Sequence, residues 1–204
     1  RVIKLWEQPQ NVRLWESPAL SGEITASAIS SDHKLIASGL SDGKVLLIDA
    51  ATGKTLREFS GLTATVTGVA FNLDGSQIVA GSHDKKTIAW NVADAAVVGE
   101  IVTPVEIESL TINKDGNRLV TGHRDNIIRV WELPGVAKPK EGETDIKPLA
   151  ELKGHSQPIT TLVAHPTDAN QCLSAGADNT ARLWRLDNGQ ILRTLTHNAP
   201  VHYT

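Results

Sequence analysis

Short runs of alternating apolar and polar residues, separated by turn residues, recur along the whole chain. The stretch 154–185 shows the unit in full: an alternating run at 159–164, a short apolar run at 172–175, and a third run that ends on Leu183 and Trp184. Gly, Pro, Asn and Asp separate these runs, and each run is too short to be a helix of ordinary length. The pattern therefore predicts short antiparallel β-strands.

The same unit returns with a nearly constant period. Trp90, Trp131 and Trp184 each end an apolar run, and each follows an aspartate by six residues. Ile48 takes the tryptophan position 42 residues before Trp90, and Trp6 lies another 42 residues before Ile48. A period of about 40 residues with four short strands per unit is typical of a β-propeller.

The repeat register assigns each run to one of four strands, which we label a to d along each unit. Trp15 lies only nine residues after Trp6, so we assign it to an outer strand and not to a separate tandem copy. The predicted strands are a at 24–29, 66–71, 107–112 and 159–164; b at 35–38, 77–80, 118–121 and 171–174; c ending at Ile48, Trp90, Trp131 and Trp184; and d at 55–59, 97–102, 149–153 and 191–195.

The fold class predicted from this register is all-β, a propeller of four-stranded antiparallel blades with about four to five blades present. We assign 1–204 to a single partial propeller: 1–17 as strands c and d of a first blade, complete blades at 24–60, 66–103, 105–153 and 157–196, and 199–204 as the start of a further blade. The third blade contains an insertion, 133–148, whose Pro, Gly and mixed charges favour a solvated loop. A partner-binding arm is the alternative for this loop.

The ends of the chain predict that the ring continues beyond it. Unpaired sheet edges promote aggregation, so we expect a larger ring, with the remaining blades from the same polypeptide or from another chain. The alternative is that the two end segments share one blade that lacks strand b. The chain has no Met and begins within a predicted strand, so we expect the natural N-terminus to lie upstream.

Composition narrows the function classes. The net charge of −3 and the lack of a Lys/Arg cluster argue against a nucleic-acid partner. No apolar run approaches the roughly 18 residues that span a bilayer, so we predict no membrane partner. Cys172 is the only cysteine, which excludes an intrachain disulfide and fits a reducing compartment, with a slight preference for the cytoplasm.

The best-preserved unit resembles the WD40 repeat. The resemblance rests on Gly154-His155, Ser174, Asp178 and Leu183-Trp184. In that family a His, a Ser or Thr, an Asp and a Trp form a hydrogen-bonded tetrad within a blade, so the resemblance implies a structural tetrad of His155, Ser174, Asp178 and Trp184. It also implies partial tetrads from Thr121, Asp125 and Trp131; from Asp84 and Trp90; from Ser38 and Asp42; and from His197.

The other repeats depart from this pattern, and no subfamily is assignable. Leu20, Leu62 and Thr103 stand at the histidine position of the first three complete units. Ile48 replaces the tryptophan of the first unit, and Ala80 replaces the hydroxyl residue of the second. We expect these blades to lack a complete tetrad.

No residue pattern points to catalysis, a metal or a cofactor. Gly53-Lys54-Thr55 lacks the earlier glycine and the following helix of a phosphate-binding loop. The histidines have no cysteine or histidine neighbours at zinc-site spacings. Glu108 is the only acid on the predicted inner strands, Glu106 directly precedes the same strand, and the sequence gives neither of them a partner. We therefore predict no catalytic residues, no metal and no cofactor.

The functional surface is predicted in the loops. In the fold that the resemblance implies, the d–a and b–c connections share one face, and the residues of this face are candidates for partner binding: His83, Arg124, Ser41, Gln157 and Glu106. His83 and Arg124 are the favoured anchors. Our hypothesis, drawn from the resemblance, is part of a seven-bladed propeller that serves as a non-catalytic scaffold for protein–protein interaction. The alternatives are an accessory or sensory propeller domain of a larger multidomain bacterial protein, or an enzyme whose active site lies in segments not present here.

Overall fold

The structure, a computed structural model, describes residues 4–7, 12–16, 20–133 and 146–199, with side chains described at 15–16, 20–133 and 146–199. These ranges hold eighteen strands and no helix. The first pair is β1 (Lys4–Glu7) and β2 (Val12–Glu16). The strands that follow are β3 (Ile24–Ile29), β4 (Leu35–Leu40), β5 (Val45–Asp49), β6 (Thr55–Phe59), β7 (Val66–Phe71), β8 (Gln77–Ser82), β9 (Lys86–Asn91), β10 (Val97–Val102), β11 (Ile107–Ile112), β12 (Arg118–His123), β13 (Ile128–Glu132), β14 (Ala150–Leu152), β15 (Ile159–Ala164), β16 (Gln171–Gly176), β17 (Thr180–Arg185) and β18 (Ile191–Thr196).

Each sheet is an antiparallel meander in chain order. The four-stranded sheets are β3–β6, β7–β10, β11–β14 and β15–β18, and β1 pairs with β2 in a separate hairpin. The first strands of successive sheets, β3, β7, β11 and β15, pack side by side. This arrangement of four blades around their inner strands confirms the predicted all-β propeller fold. The ring of seven stays a prediction.

Turn chemistry fixes the hairpins between the first and second strands. Gly116 lies in the left-handed region with a φ of 70°, which costs glycine little because it has no Cβ. The Asn113 side-chain oxygen accepts hydrogen bonds from the N–H groups of Asn117 and Arg118. These local bonds favour a tight turn over a continued strand.

The core lies between successive sheets, where glycines on one blade pack against branched apolar side chains of the next. A Cβ added at Gly122 would lie 2.5 Å from Cγ2 of Ile159, which is fully buried. The equivalent glycines of the first two blades meet the equivalent residues in the same way: Gly39 against Val66, and Gly81 against Ile107. Close packing of this kind leaves little room for a larger residue.

The observed strands can be compared with the predicted ones directly. The four inner strands coincide with the predicted a strands, and each b strand runs two residues further than predicted. Trp15 lies on β2, its Nε1 donates a 2.8 Å hydrogen bond to the carbonyl of Ala50, and its ring covers Gly53. Most of the 133–148 insertion and residues 200–204 lie outside the described residues, as does the side chain of Trp6. The assigned blade boundaries stay predictions.

Candidate functional site

The fourth blade, β15–β18, contains one continuous chain of side-chain hydrogen bonds. Trp184 Nε1 donates to Ser174 Oγ at 2.7 Å, and Ser174 Oγ lies 2.7 Å from His155 Nε2. On the other side of the ring, His155 Nδ1 lies 2.9 Å from Asp178 Oδ2. The four residues therefore connect the loop before β15, strand β16, the turn after it and strand β17.

Asp178 holds the outer end of this network as a carboxylate. It accepts hydrogen bonds from the N–H of Ser156 at 2.9 Å and the hydroxyl of Thr180 at 2.7 Å. Burial alone would raise the pKa of Asp178, but these donors and His155 lower it to about 2. Burial also lowers the pKa of His155, against the pull of Asp178. The arrangement fits a neutral imidazole that donates from Nδ1 and accepts at Nε2.

The third blade, β11–β14, completes a similar chain with a different histidine. Trp131 Nε1 donates to Thr121 Oγ1 at 2.7 Å, and Thr121 Oγ1 lies 2.8 Å from Nε2 of His123. His123 is fully buried and comes from strand β12, two residues after Thr121. Residues two apart on a strand share a face, and this periodicity was the sequence signal that could have identified His123.

The remaining groups of the third blade have other partners. The hydroxyl of Thr103, at the predicted histidine position, bonds the carbonyls of Lys85 and Val105. Asp125 forms an ion pair with Arg129, with Nη2 to Oδ2 at 2.8 Å. Burial and, to a smaller extent, the positive charge of Arg129 lower the pKa of His123 to about 4, while Asp125 opposes them. His123 is therefore neutral at pH 7.

The first blade, β3–β6, keeps the hydroxyl but loses both of its partners. Ser38 is fully buried, and its Oγ has no hydrogen-bond partner among the described residues. Leu20 and Ile48 occupy the histidine and tryptophan positions and join an apolar cluster that includes Trp15. Asp42 accepts a 2.8 Å bond from the hydroxyl of Ser21.

The second blade, β7–β10, keeps the aspartate and the tryptophan, each with a backbone partner. Trp90 Nε1 donates to the carbonyl of Ser60 at 3.1 Å. Asp84 accepts from the N–H of Thr63 at 2.7 Å. His197, after the last strand, is exposed, and its backbone N–H donates to the carbonyl of Asn179. The structure therefore unites only the fourth set of predicted tetrad residues in one complete network.

A repeated backbone bond links the b–c turn of each blade to the start of its inner strand. The four donor and acceptor pairs are Ser41 to Glu23 (2.8 Å), His83 to Thr65 (3.1 Å), Arg124 to Glu106 (3.2 Å) and Ala177 to Pro158 (2.9 Å). We call the edge that carries these turns and the adjoining d–a loops the top edge. Four of the five candidate residues take part in these bonds, and the fifth, Gln157, lies exposed beside Pro158.

Glu108 joins the two favoured anchors on the top edge. His83 Nε2 lies 3.3 Å from Glu108 Oε2, and Arg124 Nε lies 3.8 Å from Glu108 Oε1. The expectation that the inner-strand acids lack partners is therefore wrong for Glu108. The reason is tertiary: the turns after β8 and β12 come from neighbouring blades and converge over β11.

The described residues offer no arrangement typical of metal chemistry or of a reactive thiol. No group of three His, Cys, Asp or Glu side chains within them lies close enough to hold a metal ion. Burial raises the pKa of Cys172 to about 12, so its thiol is protonated. No helix suited to crossing a membrane occurs in the described part of the chain.

Two family profiles match different parts of the chain. The profile described as WD domain, G-beta repeat matches residues 102–132 and 146–185. The profile described as Anaphase-promoting complex subunit 4 WD40 domain matches residues 4–74. The first match covers the third and fourth blades, where the two buried histidine networks lie.

Several curated proteins are similar to nearly the whole chain. WD repeat-containing protein 36 of Homo sapiens is 26% identical over 96% of this chain and 22% of its own length. Actin-interacting protein 1 of Drosophila melanogaster is 30% identical over 81% of this chain and 26% of its own length. SIR4-interacting protein SIF2 of Saccharomyces cerevisiae is 27% identical over 83% of this chain and 32% of its own length. The chain thus spans about a fifth to a third of these relatives.

The blades, the tetrad and the profile matches agree on one assignment. Four antiparallel meanders pack through their inner strands, and the fourth contains the complete network of His155, Ser174, Asp178 and Trp184. Both matched profiles and the human relative, WD repeat-containing protein 36, carry the WD repeat in their names. The chain belongs to the WD40-repeat family.

Proposed function

We propose that this protein is a non-catalytic scaffold that binds protein partners through the top edge of its blades. The observation that carries the proposal is the backbone bond repeated in all four blades, which holds each b–c turn against its d–a loop. Loops fixed in this way present side chains from several blades at defined positions, which lowers the entropy lost on binding. Proteins of the WD40 family are generally non-enzymatic scaffolds.

The tetrad residues support a structural role and not a catalytic one. The side chain of His155 is fully buried and that of Asp178 is 4% exposed. Their polar atoms are already used within the blade, and a substrate could not reach them without displacing these bonds. Satisfied buried networks of this kind rigidify the segments that they connect.

The candidate anchors are accessible on the top edge. The side chain of Arg124 is 60% exposed and that of His83 is 37% exposed. Arginine is enriched among the residues that dominate protein interfaces. The names of two relatives, Actin-interacting protein 1 and SIR4-interacting protein SIF2, likewise state an interaction with a protein. The absence of nucleic-acid and membrane partners stays a prediction.

Exposed apolar side chains on the outer sides of the first and last sheets favour further blades beyond the four. Val163, Leu173 and Leu195 lie on the free side of the last sheet with 44%, 40% and 48% of their surface exposed. Ile29, on the side of the first sheet that Trp15 covers only in part, is 54% exposed. Between described blades the equivalent faces are buried. We propose that blades from the same polypeptide or from another chain cover both faces.

The test compares two single substitutions in the third blade. Arg124→Ala removes a side chain from the top edge, and Lys114→Ala removes an exposed cation from the turn at the opposite edge. Because neither side chain is buried, both variants should keep the free energy of unfolding within about 0.5 kcal/mol of the parent. We expect Arg124→Ala alone to reduce the amount of partner captured from a lysate. Equal capture by all three proteins would contradict the proposal.

A further inference from the structure

One position on the inner strands distinguishes the third blade from the others. The second residue of the inner strand is a threonine in the first, second and fourth blades: Thr25, Thr67 and Thr160. In the third blade it is Glu108. The hydroxyl of Thr25 donates to the carbonyl of Val66 on the next blade at 2.5 Å, and that of Thr67 donates to Ile107 at 2.6 Å. Glu108 cannot donate such a bond when ionised, so the third blade gives up a contact between blades and gains a carboxylate.

This carboxylate lines a polar groove that runs across the four inner strands. The groove has a volume of about 420 Å³, and hydroxyl side chains such as Thr67, Ser109 and Thr161 line much of it. Among the described residues, Glu108 is the only acidic side chain that lines the groove, and no lysine or arginine lines it. His83 lines its upper end. The groove wall therefore has one carboxylate and, among its described lining residues, no lysine or arginine to neutralise it.

The neighbours of Glu108 leave room for another donor. Arg124 Nε lies 3.8 Å away, which is longer than a hydrogen bond, and the Arg124 side chain is 60% exposed. Such an exposed ion pair contributes little stability and exchanges easily. The side chain of Glu108 is 24% exposed, so part of it faces the groove. A carboxylate has about four lone-pair sites, and the contacts of Glu108 with His83 and Arg124 do not use all of them.

We propose that Glu108 binds a cationic side chain, lysine or arginine, of a protein partner that enters this groove. The inference deepens the proposed scaffold function and rests on it. The carboxylate accepts the charged N–H donors, and the hydroxyl groups on either side accept others. Hydrogen bonds in which both groups are charged are shorter and stronger than neutral ones. Arg124 stays outside the groove, where it contacts the partner but competes with the incoming cation for Glu108.

The experiment titrates the 204-residue protein against three fluorescent peptides. Each is a short glycine and serine peptide with one central residue: arginine, lysine, or neutral citrulline. We expect at least one cationic peptide to bind at least about tenfold more tightly than the citrulline peptide in fluorescence polarisation, because only the cation pairs with the partly buried carboxylate. The arginine and lysine arms identify which cation the groove prefers.

Matched variants assign the binding to Glu108. Glu108→Thr installs the residue of the other three blades, and Glu108→Gln keeps the shape, so both should fold and lose at least about tenfold in affinity for the cationic peptide. Glu132→Gln removes the same charge at the opposite end of the third sheet and should bind like the parent. Thermal melts of all variants establish that they are folded.

The outcomes separate this inference from the scaffold proposal. Equal binding of the citrulline peptide, no binding of either cationic peptide, or unchanged affinity in both Glu108 variants would overturn the inference. Arg124→Ala should bind the cationic peptide at least as tightly as the parent, since a competitor is removed, whereas it should capture less partner protein. If Arg124→Ala captures less partner protein but the parent binds no cationic peptide, the scaffold proposal holds and the groove has no part in it.

Discussion

Ser174 in the fourth blade and Ser38 in the first occupy the same position of the same strand, and both are fully buried. Ser174 accepts from Trp184 and pairs with His155, whereas the hydroxyl of Ser38 has no partner within the described residues. The difference lies in two neighbours, since Leu20 and Ile48 replace the histidine and the tryptophan. A serine therefore stabilises a blade only where the chain also supplies its partners.

The third blade shows that the partner need not come from the loop. His123 reaches the hydroxyl of Thr121 from the same strand, while Thr103 at the loop position bonds other groups. The tryptophan-to-hydroxyl-to-imidazole chain is thus formed in two ways. In the fourth blade this hydrogen-bonded chain holds the d–a loop, which carries His155. In the third blade all its members lie on strands β12 and β13.

The blades should differ most in the free energy of unfolding that is lost when the aspartate of the b–c turn is removed. Asp178→Ala leaves the donors of His155, Ser156 and Thr180 without their acceptor, and we expect a loss of about 3 kcal/mol in the free energy of unfolding. Asp84→Ala should cost about 1 kcal/mol, because no histidine depends on that carboxylate. Urea unfolding of the two variants measures the difference. A larger cost for Asp84→Ala would reject a dominant role for the tetrad.

A matched pair of serine substitutions sharpens the comparison. Ser174→Ala strands Trp184 Nε1 and His155 Nε2 in the interior and should cost about 2 kcal/mol. Ser38→Ala removes a buried hydroxyl that has no partner and should raise stability by about 1 kcal/mol. Denaturant midpoints of both variants at pH 7 give the two signs. The same sign in both blades would contradict the idea that partners decide the value of the hydroxyl.

The buried imidazole of the third blade should respond to acid. His123 has a folded-state pKa of about 4 against 6.5 for a free histidine, so between these values the unfolded chain binds more protons than the folded one. Its contribution is fully present above pH 6.5 and falls as the pH drops, with a loss of about 2 kcal/mol between pH 7 and pH 5.

His123→Asn provides the control for this titration. The variant should lose about 2 kcal/mol less than the parent between pH 7 and pH 5, because the substituted residue does not titrate. The free energy of unfolding at the two pH values, measured in urea, tests the difference. An identical pH dependence in both proteins would mean that His123 is not buried as a neutral group.

The repeat and the inner strands could be predicted from the sequence because they depend on local pattern. Alternation along β7, β11 and β15 and the turn residues between strands are properties of adjacent residues. The residues of the complete network, His155, Ser174, Asp178 and Trp184, were identified through resemblance to a repeat, and the structure brings them into contact.

Other parts of the site could not be predicted from the repeat register alone. The register places Thr103 at the histidine position, but His123, two residues after Thr121 on β12, contacts the Thr121 hydroxyl instead. The contact of His83 and Arg124 with Glu108 joins residues from two blades. No local pattern encodes which side chains of neighbouring blades meet.

The sequence by itself determined the strand order and the four-stranded unit, because hydrophobic alternation and turn chemistry act over a few residues. The family was indicated by the resemblance of the fourth unit to a known repeat. Only the tertiary structure decided which polar groups are satisfied. Thr103 stands at the histidine position of the third repeat, yet the buried hydroxyl of Thr121 is satisfied by His123 from its own strand. The physical reason is that the free energy of a buried polar atom depends on its neighbours in space, and these come from distant parts of the chain.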